Sequence, residues 1–593
     1  MLYSSVLSAA FALSLQASTT SAFMGAKLGK PFVKRQYLPA EPSGVKTITT
    51  PSNVTISYKE PGNDGVCETT PGVNSYSGYV DLAPDVHVFF WFFESRRDPA
   101  GDPITLWLNG GPGSDSLIGL FQELGPCNIT EDLKSQLNPY AWNEVSNMLF
   151  LSQPVGVGFS YGEKANGSFN NATSSFQNDT TGTDYGRWPV INATEVDTTD
   201  LAAAAAWHVL QGFYSGLPQL DPEIQSKEFN LWTESYGGHY GPSFFNYFNE
   251  QNKAIKNGSV EGIPLDFNAL GIINGIIDEY TQAPYYPEFA VNNTYGIKSV
   301  NDTVYSYMKF AAYMPSGCLD QVQHCRQARA TPELDQATDA ICSEAQSMCR
   351  DNVEGPYYAF GGRGVYDIRH PYNDPTPPKY FTEYLQQGAI QEAIGVDLNY
   401  TESNTDIYYA FQQTGDFVFD NFIEDVEYLL NQSVRVSLVY GDADYICNWF
   451  GGEAVSLAVN YTHSDEFRKA GYAPVMVEGG EYGEVRQYGN FSFVRLYEAG
   501  HEVPYYQPLA ALEIFNRTIY HYDIATGEQA VTADLSTDGE AKATHTESFV
   551  PLPSKTSASA SGSATATGTS LPVVDRILRR PRGRLSLPIP YKA

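Results

Sequence analysis

The chain has 593 residues, of which 42% are hydrophobic and 18% charged, so it can bury a large core and is not globally disordered. Its formal net charge of −32 at pH 7, from 36 basic and 68 acidic side chains, disfavours nucleic acid as a partner because phosphates would be repelled. Such acidity suits acidic surroundings, where protonation of the carboxylates relieves their mutual repulsion.

Residues 1–17 have the pattern of a secretory signal peptide. The apolar run from Val6 to Leu15 precedes small residues and is too short to span a bilayer. No basic residue precedes the run, so a buried N-terminal helix is the alternative. Residues 18–52 follow as a propeptide or leader, with Lys34-Arg35 as a candidate dibasic processing site. No later stretch has 18 continuous apolar residues, so we expect no transmembrane segment.

Frequent N-x-S/T sequons favour a secreted glycoprotein. The candidate attachment sites are Asn53, Asn128, Asn166, Asn171, Asn178, Asn192, Asn257, Asn292, Asn301, Asn399, Asn431, Asn460, Asn490 and Asn516.

Residues 53–528 alternate short β-type runs with helical stretches, which predicts an α/β fold with a central, mostly parallel sheet. The clearest strands are Ile104–Leu108, Asn147–Leu151, Phe229–Thr233, Val434–Tyr440 and Phe493–Tyr497, and the clearest helix is Asp200–Phe213. The alternation is interrupted from about residue 283 to 390. We interpret this stretch as an inserted helical cap beside the functional site.

Seven cysteines leave at least one thiol unpaired unless two chains are joined. Four of them, at positions 318, 325, 342 and 349, lie symmetrically about one centre in the inserted stretch, as in a cross-linked hairpin of antiparallel helices. The predicted disulfides are Cys318–Cys349, Cys325–Cys342 and Cys67–Cys127, with Cys447 left free. Zinc is the alternative for the group of four, although C-x6-C spacing is wider than is usual for zinc ligands.

Ser235 lies in the segment FNLWTESYGGHY, between an apolar strand and an aromatic helix. A serine on such a tight turn exposes its hydroxyl near helix N–H groups, which is the geometry of a nucleophile elbow. The usual elbow is G-x-S-x-G; here Thr233 replaces the first glycine and Gly237 keeps the second. An ordinary turn is the competing interpretation.

A catalytic serine also needs a base and an acid, which in α/β-hydrolases follow in the order Ser, Asp, His. The segment VRVSLVYGDADYICNW places Asp442 and Asp444 after a buried strand, and FVRLYEAGHEVP places His501 after the last strand. These residues therefore lie at the same sheet edge as Ser235. His239 is a rival base, but it lies on the helix that follows Ser235, and we interpret it as locally hydrogen-bonded.

Residues 529–593 form a Ser/Thr-rich low-complexity tail. Its stretch SKTSASASGSATATGTS cannot bury a core and is typical of an O-glycosylated stalk. Such stalks often precede a GPI-anchor signal, which needs a terminal apolar run of about 10–20 residues. The tail as written lacks that run, so a secreted protein is expected and a surface anchor is not supported.

Six segments in order resemble the serine carboxypeptidase family, most closely its fungal carboxypeptidase S1 branch. They are WLNGGPG (107–113), ELGP (123–126), QPVGVGFSY (153–161), ESYGG (234–238), GDADYICNW (441–449) and GHEVP (500–504). The resemblance spans about residues 53 to 520 and implies an α/β-hydrolase that removes single residues from peptide carboxyl ends. A departure is Ser114-Asp115-Ser116, where many relatives have Cys-Ser-Ser, which puts the family's usual disulfide layout in doubt.

The resemblance implies a role for each residue of the triad and of the oxyanion hole. Ser235 would be the nucleophile and His501 the general base and then acid. The family pattern selects Asp444 as the acid that orients the imidazole, and Asp442 is then structural. The backbone N–H groups of Gly111 and Tyr236 resemble the oxyanion hole.

The resemblance further implies that Asn109, Glu123 and Glu234 bind the terminal carboxylate of the substrate. Two glutamates can bind an anion only while they hold protons, so peptide hydrolysis should favour acidic pH. His501 must be neutral to act as a base, which would require a low pKa. Solvated surface carboxylates are the alternative interpretation of the two glutamates.

Two further residues are candidates for the substrate pocket. Cys447 resembles the family's free thiol beside that pocket, with a buried inert cysteine as the alternative. Glu502 follows His501 where relatives may carry Met, and an acid there favours substrates that end in Lys or Arg.

These observations predict a secreted serine carboxypeptidase that acts on peptides with a free terminal carboxylate. No metal or cofactor is implied, because the nucleophile, the base and the oxyanion donors are protein groups. The first alternative is an esterase or acyltransferase on the same scaffold. The second is a binding protein with an inactive hydrolase fold, although such proteins usually lose a member of the triad.

Overall fold

The computed structural model describes residues 38–170, 175–179, 185–330 and 336–548, all within one unit of the chain that spans residues 1–550. The predicted signal peptide, the dibasic site, the sequon at Asn171 and the Ser/Thr-rich stretch lie outside the described residues.

Long runs of β-branched and aromatic side chains form the strands, because such side chains pack well on a pleated surface. The strands are β1 (Lys46–Thr49), β2 (Thr55–Lys59), β3 (Ser75–Ala83), β4 (Val86–Phe93), β5 (Ile104–Leu108), β6 (Cys127–Ile129), β7 (Ser135–Leu137), β8 (Asn147–Leu151), β9 (Glu163–Asn170), β10 (Ser175–Gln177), β11 (Tyr185–Val190), β12 (Glu228–Glu234), β13 (Asp266–Ile273), β14 (Arg435–Gly441), β15 (Ala473–Val477), β16 (Gly480–Tyr488) and β17 (Phe491–Leu496).

Twelve of these strands form one twisted sheet in the order β1-β2-β3-β4-β8-β5-β12-β13-β14-β17-β16-β15. The six central strands, from β8 to β17, run parallel, whereas the strands toward both edges pair antiparallel. The predicted α/β-hydrolase architecture is confirmed, with a sheet that is parallel at its centre and antiparallel at its flanks. Strands β9, β10 and β11 form a separate small sheet that the sequence analysis did not predict.

Helices occupy the connections between strands and both faces of the sheet. The helices are α1 (Leu117–Gln122), α2 (Thr199–Leu220), α3 (Gly237–Lys256), α4 (Glu279–Gln282), α5 (Tyr285–Val291), α6 (Asp302–Tyr313), α7 (Cys318–Arg329), α8 (Gln336–Cys349), α9 (Pro356–Phe360), α10 (Tyr380–Tyr384), α11 (Gly388–Ile394), α12 (Thr405–Thr414), α13 (Asn421–Asn431), α14 (Trp449–Ala458), α15 (Ser464–Lys469), α16 (Val503–Tyr506) and α17 (Pro508–Ile519).

The alternation of side chains along the strands builds two hydrophobic cores, one on each face of the sheet. In β5, Leu106 and Leu108 join the core that contains the buried faces of α2 and α3. Trp107, between them, joins the opposite core, which contains the buried faces of α1 and α17. The two cores cover both faces of the sheet, and the polar side chains of the site lie at its carboxyl edge.

The predicted cap lies between β13 and β14 and is helical. Its helices α4 to α12 span residues 279–414, so the insertion extends beyond the expected end near residue 390. The helices α7 and α8 form a hairpin that is cross-linked twice. The structure contains the disulfides Cys318–Cys349, Cys325–Cys342 and Cys67–Cys127, the same pairs as predicted, and Cys447 is a buried free thiol.

Ordered chain continues on both sides of the region that we expected to be globular. Strand β1 lies within residues 18–52 but pairs with β2 at the edge of the main sheet. Beyond residue 528, Thr537 N–H donates to the carbonyl of Gln487 at 3.0 Å, and Glu547 N–H donates to the carbonyl of Thr294 at 2.8 Å. Residues 529–547 therefore pack on the sheet domain, because their backbone groups pair with it.

One predicted glycosylation site, Asn399, is buried in the folded chain. Asn399 is 8% exposed, its Oδ1 accepts a hydrogen bond from Arg187 N–H at 2.8 Å, and its Nδ2 donates to Gln386 at 3.1 Å. A glycan on Nδ2 would displace the hydrogen bond to Gln386. Among the described residues, no helix is both long enough and apolar enough to cross a membrane.

Candidate active site

The candidate site lies at the carboxyl edge of the parallel strands. Strands β5, β12, β14 and β17 run parallel to one another and end at that edge. Asn109 and Ser235 come directly after β5 and β12, whereas Asp444 and His501 lie in the loops three and five residues after β14 and β17. Residues far apart in sequence therefore meet at one place, as expected for an open α/β sheet.

Ser235 occupies a strained turn between β12 and α3. Its φ of 65° lies in the left-handed region, which is uncommon for a residue with a side chain. The turn is held by hydrogen bonds from Ser235 N–H to the carbonyl of Ile273 at 3.0 Å and from Ile276 N–H to the carbonyl of Ser235 at 2.9 Å. Thr233, which replaces the usual glycine, donates its hydroxyl to the carbonyl of Gly237 at 2.7 Å and so closes the elbow.

Asp444 and His501 form a buried pair. His501 Nδ1 lies 2.7 Å from Asp444 Oδ2, and the two side chains are 4% and 0% exposed. Asp444 also accepts hydrogen bonds from Asn274 Nδ2 at 2.7 Å and from Cys447 N–H at 3.2 Å. An imidazole that donates from Nδ1 to this fixed carboxylate keeps Nε2 as the proton acceptor.

The rival residues have other partners. Asp442 accepts a hydrogen bond from Tyr295 Oη at 2.6 Å and lies 3.7 Å from Arg495, so it serves a buried network. His239 Nδ1 lies 2.6 Å from the carbonyl of Ile276, and burial lowers the pKa of His239 to about 4. Neither residue lines the cavity that contains Ser235.

Two backbone N–H groups converge near Ser235. A Cβ on Gly110 would lie 2.3 Å from Tyr236 N, so only glycine allows the loop after β5 to approach the elbow this closely. Within the described part of the chain, neither Gly111 N–H nor Tyr236 N–H donates to another protein group. They are therefore available for a substrate oxygen, as the oxyanion hole requires.

Asn109 holds two buried glutamates together. Its Nδ2 lies 3.1 Å from Glu234 Oε1 and 3.4 Å from Glu123 Oε1, while its Oδ1 accepts from Trp107 Nε1 at 2.8 Å and from Gly119 N–H at 2.9 Å. The amide orientation is thus fixed by its surroundings. The second oxygens of both glutamates are buried and accept no hydrogen bond from a donor group of the described residues, and the two carboxyl groups lie close enough to share a proton. Of the two, Glu234 lines the cavity and can meet an incoming group.

The environment favours the protonated form of these two glutamates. Burial raises the pKa of Glu123 to about 7. Burial, the charge of Glu123 and a shared hydrogen bond with it raise the pKa of Glu234 well above its usual range. The solvated surface carboxylates of the alternative interpretation would not show such shifts, because water would stabilise their charge.

A cavity of about 420 Å³ joins these parts. Its lining includes Asn109, Gly111, Glu234, Ser235, His501 and Glu502. Glu123 lies behind the wall in contact with Asn109. Cys447 also lies behind the wall at 1% exposure, and burial raises the pKa of its thiol well above the ordinary value.

His501 departs from the expected low pKa. Burial opposes the protonated imidazole, but the negative charges of Asp444, Glu502 and Glu123 outweigh it and raise the pKa of His501 above its usual value. The expected low pKa of His501 is therefore not found while Asp444, Glu502 and Glu123 are ionised. In acid, protonation of Glu123 removes one of these charges, so the pKa of His501 falls.

Three site residues were missed by sequence reasoning. Asn274 orients Asp444, Tyr366 packs on the His501 ring with 4.8 Å between centroids, and Arg350 lines the cavity from the cap. Asn274 follows directly after β13, and a polar residue at that position is a signal that could have been used. Tyr366 and Arg350 come from the insertion, whose contacts have no sequence signature.

Two groups of described residues have metal-ligand side chains close together. In one, Glu279 lies beside Cys318 and Cys349, whose sulfurs are joined in a disulfide and are not free to bind a metal. The other consists of Asp444, Cys447 and His501, which belong to the serine site itself.

Comparison with known proteins gives a consistent result. The family model described as serine carboxypeptidase matches residues 61–521. Carboxypeptidase S1 homolog A of Arthroderma otae is 42% identical over 572 residues, which is 89% of this chain and 86% of that protein. Carboxypeptidase S1 of Penicillium janthinellum is 40% identical over 465 residues, which is 78% of this chain and 99% of that protein.

Among solved structures, a prohormone-processing carboxypeptidase from Saccharomyces cerevisiae has the same fold, with a TM-score of 0.57 and 21% identity. The match covers 78% of this chain and 95% of that chain. The sheet, the elbow serine and the sequence relatives agree, and the chain belongs to the serine carboxypeptidase family.

Proposed function

We propose that this carboxypeptidase cleaves the last peptide bond of its substrate with Ser235 as nucleophile, His501 as base and Asp444 as the orienting acid. The observation that carries the proposal is the position of Glu234, which binds Asn109 at 3.1 Å and directly precedes Ser235. A substrate held there by its terminal carboxylate presents its last peptide carbonyl to the serine, because the residue that binds the carboxylate and the nucleophile are adjacent in the chain.

The first step forms the acyl-enzyme. His501 Nε2 accepts the Ser235 proton as Oγ attacks the carbonyl carbon, and the N–H groups of Gly111 and Tyr236 stabilise the resulting oxyanion. The imidazolium, stabilised by Asp444, then donates the proton to the leaving amine, and the C-terminal residue departs. In the second step, water attacks the ester by the same transfers in reverse and regenerates Ser235.

The carboxylate site accounts for the proposed acidic optimum. While Glu123 and Glu234 hold protons, the Glu234 O–H group and the Asn109 amide at the cavity wall can donate to the substrate carboxylate, and Glu123 behind the wall carries no charge. Deprotonation replaces these donors by like charges, which repel the substrate. Amidation of the substrate removes the anion that this site recognises.

Glu502 supports a preference for C-terminal Lys or Arg. Its carboxyl lines the cavity near His501, and its Oε2 is buried without a partner among the described residues. Lys379 also lines the cavity but is held by an ion pair with Glu402, which leaves Glu502 available to a cationic side chain. We expect Glu502→Gln to lower kcat/KM for C-terminal Lys about tenfold relative to C-terminal Leu.

The test is release of the C-terminal amino acid from a blocked dipeptide between about pH 4 and 8. We expect release by the wild type in acid, loss of release in Ser235→Ala, and poor release from the amidated dipeptide. Hydrolysis of the matching ester without peptide hydrolysis at any pH would contradict the proposal and favour the esterase or acyltransferase alternative.

The predicted setting outside the cell is tested separately. Most sequons in the described residues are exposed, as Asn53 and Asn128 are. We therefore expect N-glycans on the surface of the protein. We expect the protein in the culture medium with a mass that falls after enzymatic removal of N-glycans. Retention in the cell with no change in mass would contradict this part of the proposal.

A further inference from the structure

Arg350 brings a cation into the cavity from the cap. It begins the π-helical turn Arg350–Glu354, directly after Cys349 and its disulfide. The cross-linked hairpin therefore fixes the backbone from which this side chain extends. Its guanidinium carbon lies 4.7 Å from the centroid of the Phe417 ring, which lines the same cavity.

The position of Arg350 relative to Ser235 indicates which part of a substrate it meets. The Phe417 ring packs on the ring of Tyr236, with 4.6 Å between centroids, and Tyr236 follows Ser235 in the chain. The carboxylate site is formed by Asn109 and by Glu234, which precedes Ser235 in the chain. Arg350 thus enters the cavity beside the residue that follows the nucleophile, and a substrate that spans both sites would direct its penultimate side chain toward Arg350.

The guanidinium has hydrogen-bonding capacity left for a ligand. Its one ion pair among the described residues is with Glu354, at 3.5 Å from Nη2 to Oε1, and that oxygen also accepts from Tyr358 Oη. Arg350 is 20% exposed, whereas Glu354 is 1% exposed and sits behind it. The cavity therefore meets the donors of Arg350 and not the carboxylate that balances its charge.

We propose that Arg350 determines specificity for the penultimate residue and selects an acidic side chain there. An Asp or Glu carboxylate at that position can accept two parallel hydrogen bonds from a guanidinium, which is the strongest form of this pairing. The neighbouring aromatic ring of Phe417 supports the apolar stem of such a side chain. This inference rests on the proposed function, because it uses the same acyl-enzyme geometry.

The test compares blocked dipeptides that end in Leu and carry Glu, Gln or Leu as the penultimate residue, at pH 6, where a glutamate side chain is ionised. We expect wild-type kcat/KM for Glu to exceed that for the isosteric Gln about tenfold, the range of a hydrogen bond to a charged group. Arg350→Met should reduce the Glu-to-Gln ratio to about one. Arg350→Lys should leave an intermediate ratio, because lysine keeps the positive charge but cannot donate two parallel hydrogen bonds.

Arg329→Met is the matched control. Arg329 belongs to the same cross-linked hairpin and stacks on Phe419 at 3.3 Å, but it does not line the cavity, so the ratio should stay at the wild-type value. A wild-type ratio of one or less overturns the inference without any variant, and so does an unchanged ratio in a folded Arg350→Met. Failure to release Leu from all three substrates would instead contradict the proposed function.

Discussion

Replacement of both carboxylate-site glutamates, Glu123→Gln with Glu234→Gln, should remove the loss of activity at high pH. In the wild type the pKa of Glu123 is about 7 and that of Glu234 is well above its ordinary value, so above pH 7 the site begins to lose its protons. Two unit charges about 4 Å apart repel by about 4 kcal/mol at an effective dielectric constant of about 20, or up to about three decades in affinity. Glutamine cannot ionise and keeps an N–H donor at every pH.

The assay is kcat/KM for a blocked dipeptide acid and for its amide from pH 4 to 9. For the wild type acting on the acid, we expect a fall of about tenfold per pH unit above about pH 7. The double variant should be about 10- to 100-fold weaker at pH 5, since it lacks O–H donors, but flat at higher pH. The amide should show little of the wild-type fall, because it has no negative charge to repel.

The control is Asp425→Asn. Burial raises the pKa of Asp425 on α13 to about 7 as well, but Asp425 binds Asn246 and is not part of the cavity lining. This variant should keep the wild-type fall. An unchanged fall in the double variant, or an equal fall with the amide, would refute the reasoning, because the titrating group would then lie elsewhere.

Two further predictions concern the other buried acids. Asp444→Asn should lower kcat by about four orders of magnitude, since an amide favours the wrong imidazole tautomer. Asp442→Asn should lower the melting temperature and keep most of kcat, and equal losses of kcat would contradict the assignment of the triad. Burial raises the pKa of Asp115 to about 7 and of Glu279 to about 8. The folded protein therefore holds protons on these two groups that the unfolded chain loses near pH 4, so their contribution to stability declines as the pH rises from about 4 to about 8. Calorimetry should show a melting temperature at least about 5 °C higher at pH 5 than at pH 8, and the reverse order would contradict these shifts.

The parts of the fold that could be predicted are those with a local signal or a fixed order. Ser235 follows a continuous apolar strand and precedes a helix, and the parallel sheet then brings Asp444 and His501 to its edge because each of them also follows a strand. The disulfide hairpin could be predicted from the symmetry of four cysteine positions alone. These features depend on short stretches of sequence or on the parallel strand order that those stretches predict.

The parts that could not be predicted depend on contacts between distant segments. The strand β1 and the residues after 528 look like leader and tail, and only their hydrogen bonds to the sheet show that they belong to the domain. The pKa of His501 could not be predicted either, because it reflects charges on Glu123 and Glu502 whose positions depend on the whole fold. Asn399 has a normal sequon, and its burial is seen only in the folded structure.

The cap leaves the sheet domain and returns to it at nearly the same place. It begins at α4 and ends at the turn Asp416–Val418, and these two elements touch each other. The segment between them carries Arg350, whereas the serine, the histidine, the acid and the carboxylate site all lie outside it. The side chains that meet the peptide and those that break the bond therefore belong to different segments of the chain. Because Tyr366 of the cap contacts the His501 ring, an exchange of the cap between relatives would have to keep that contact while it changes which peptides are accepted.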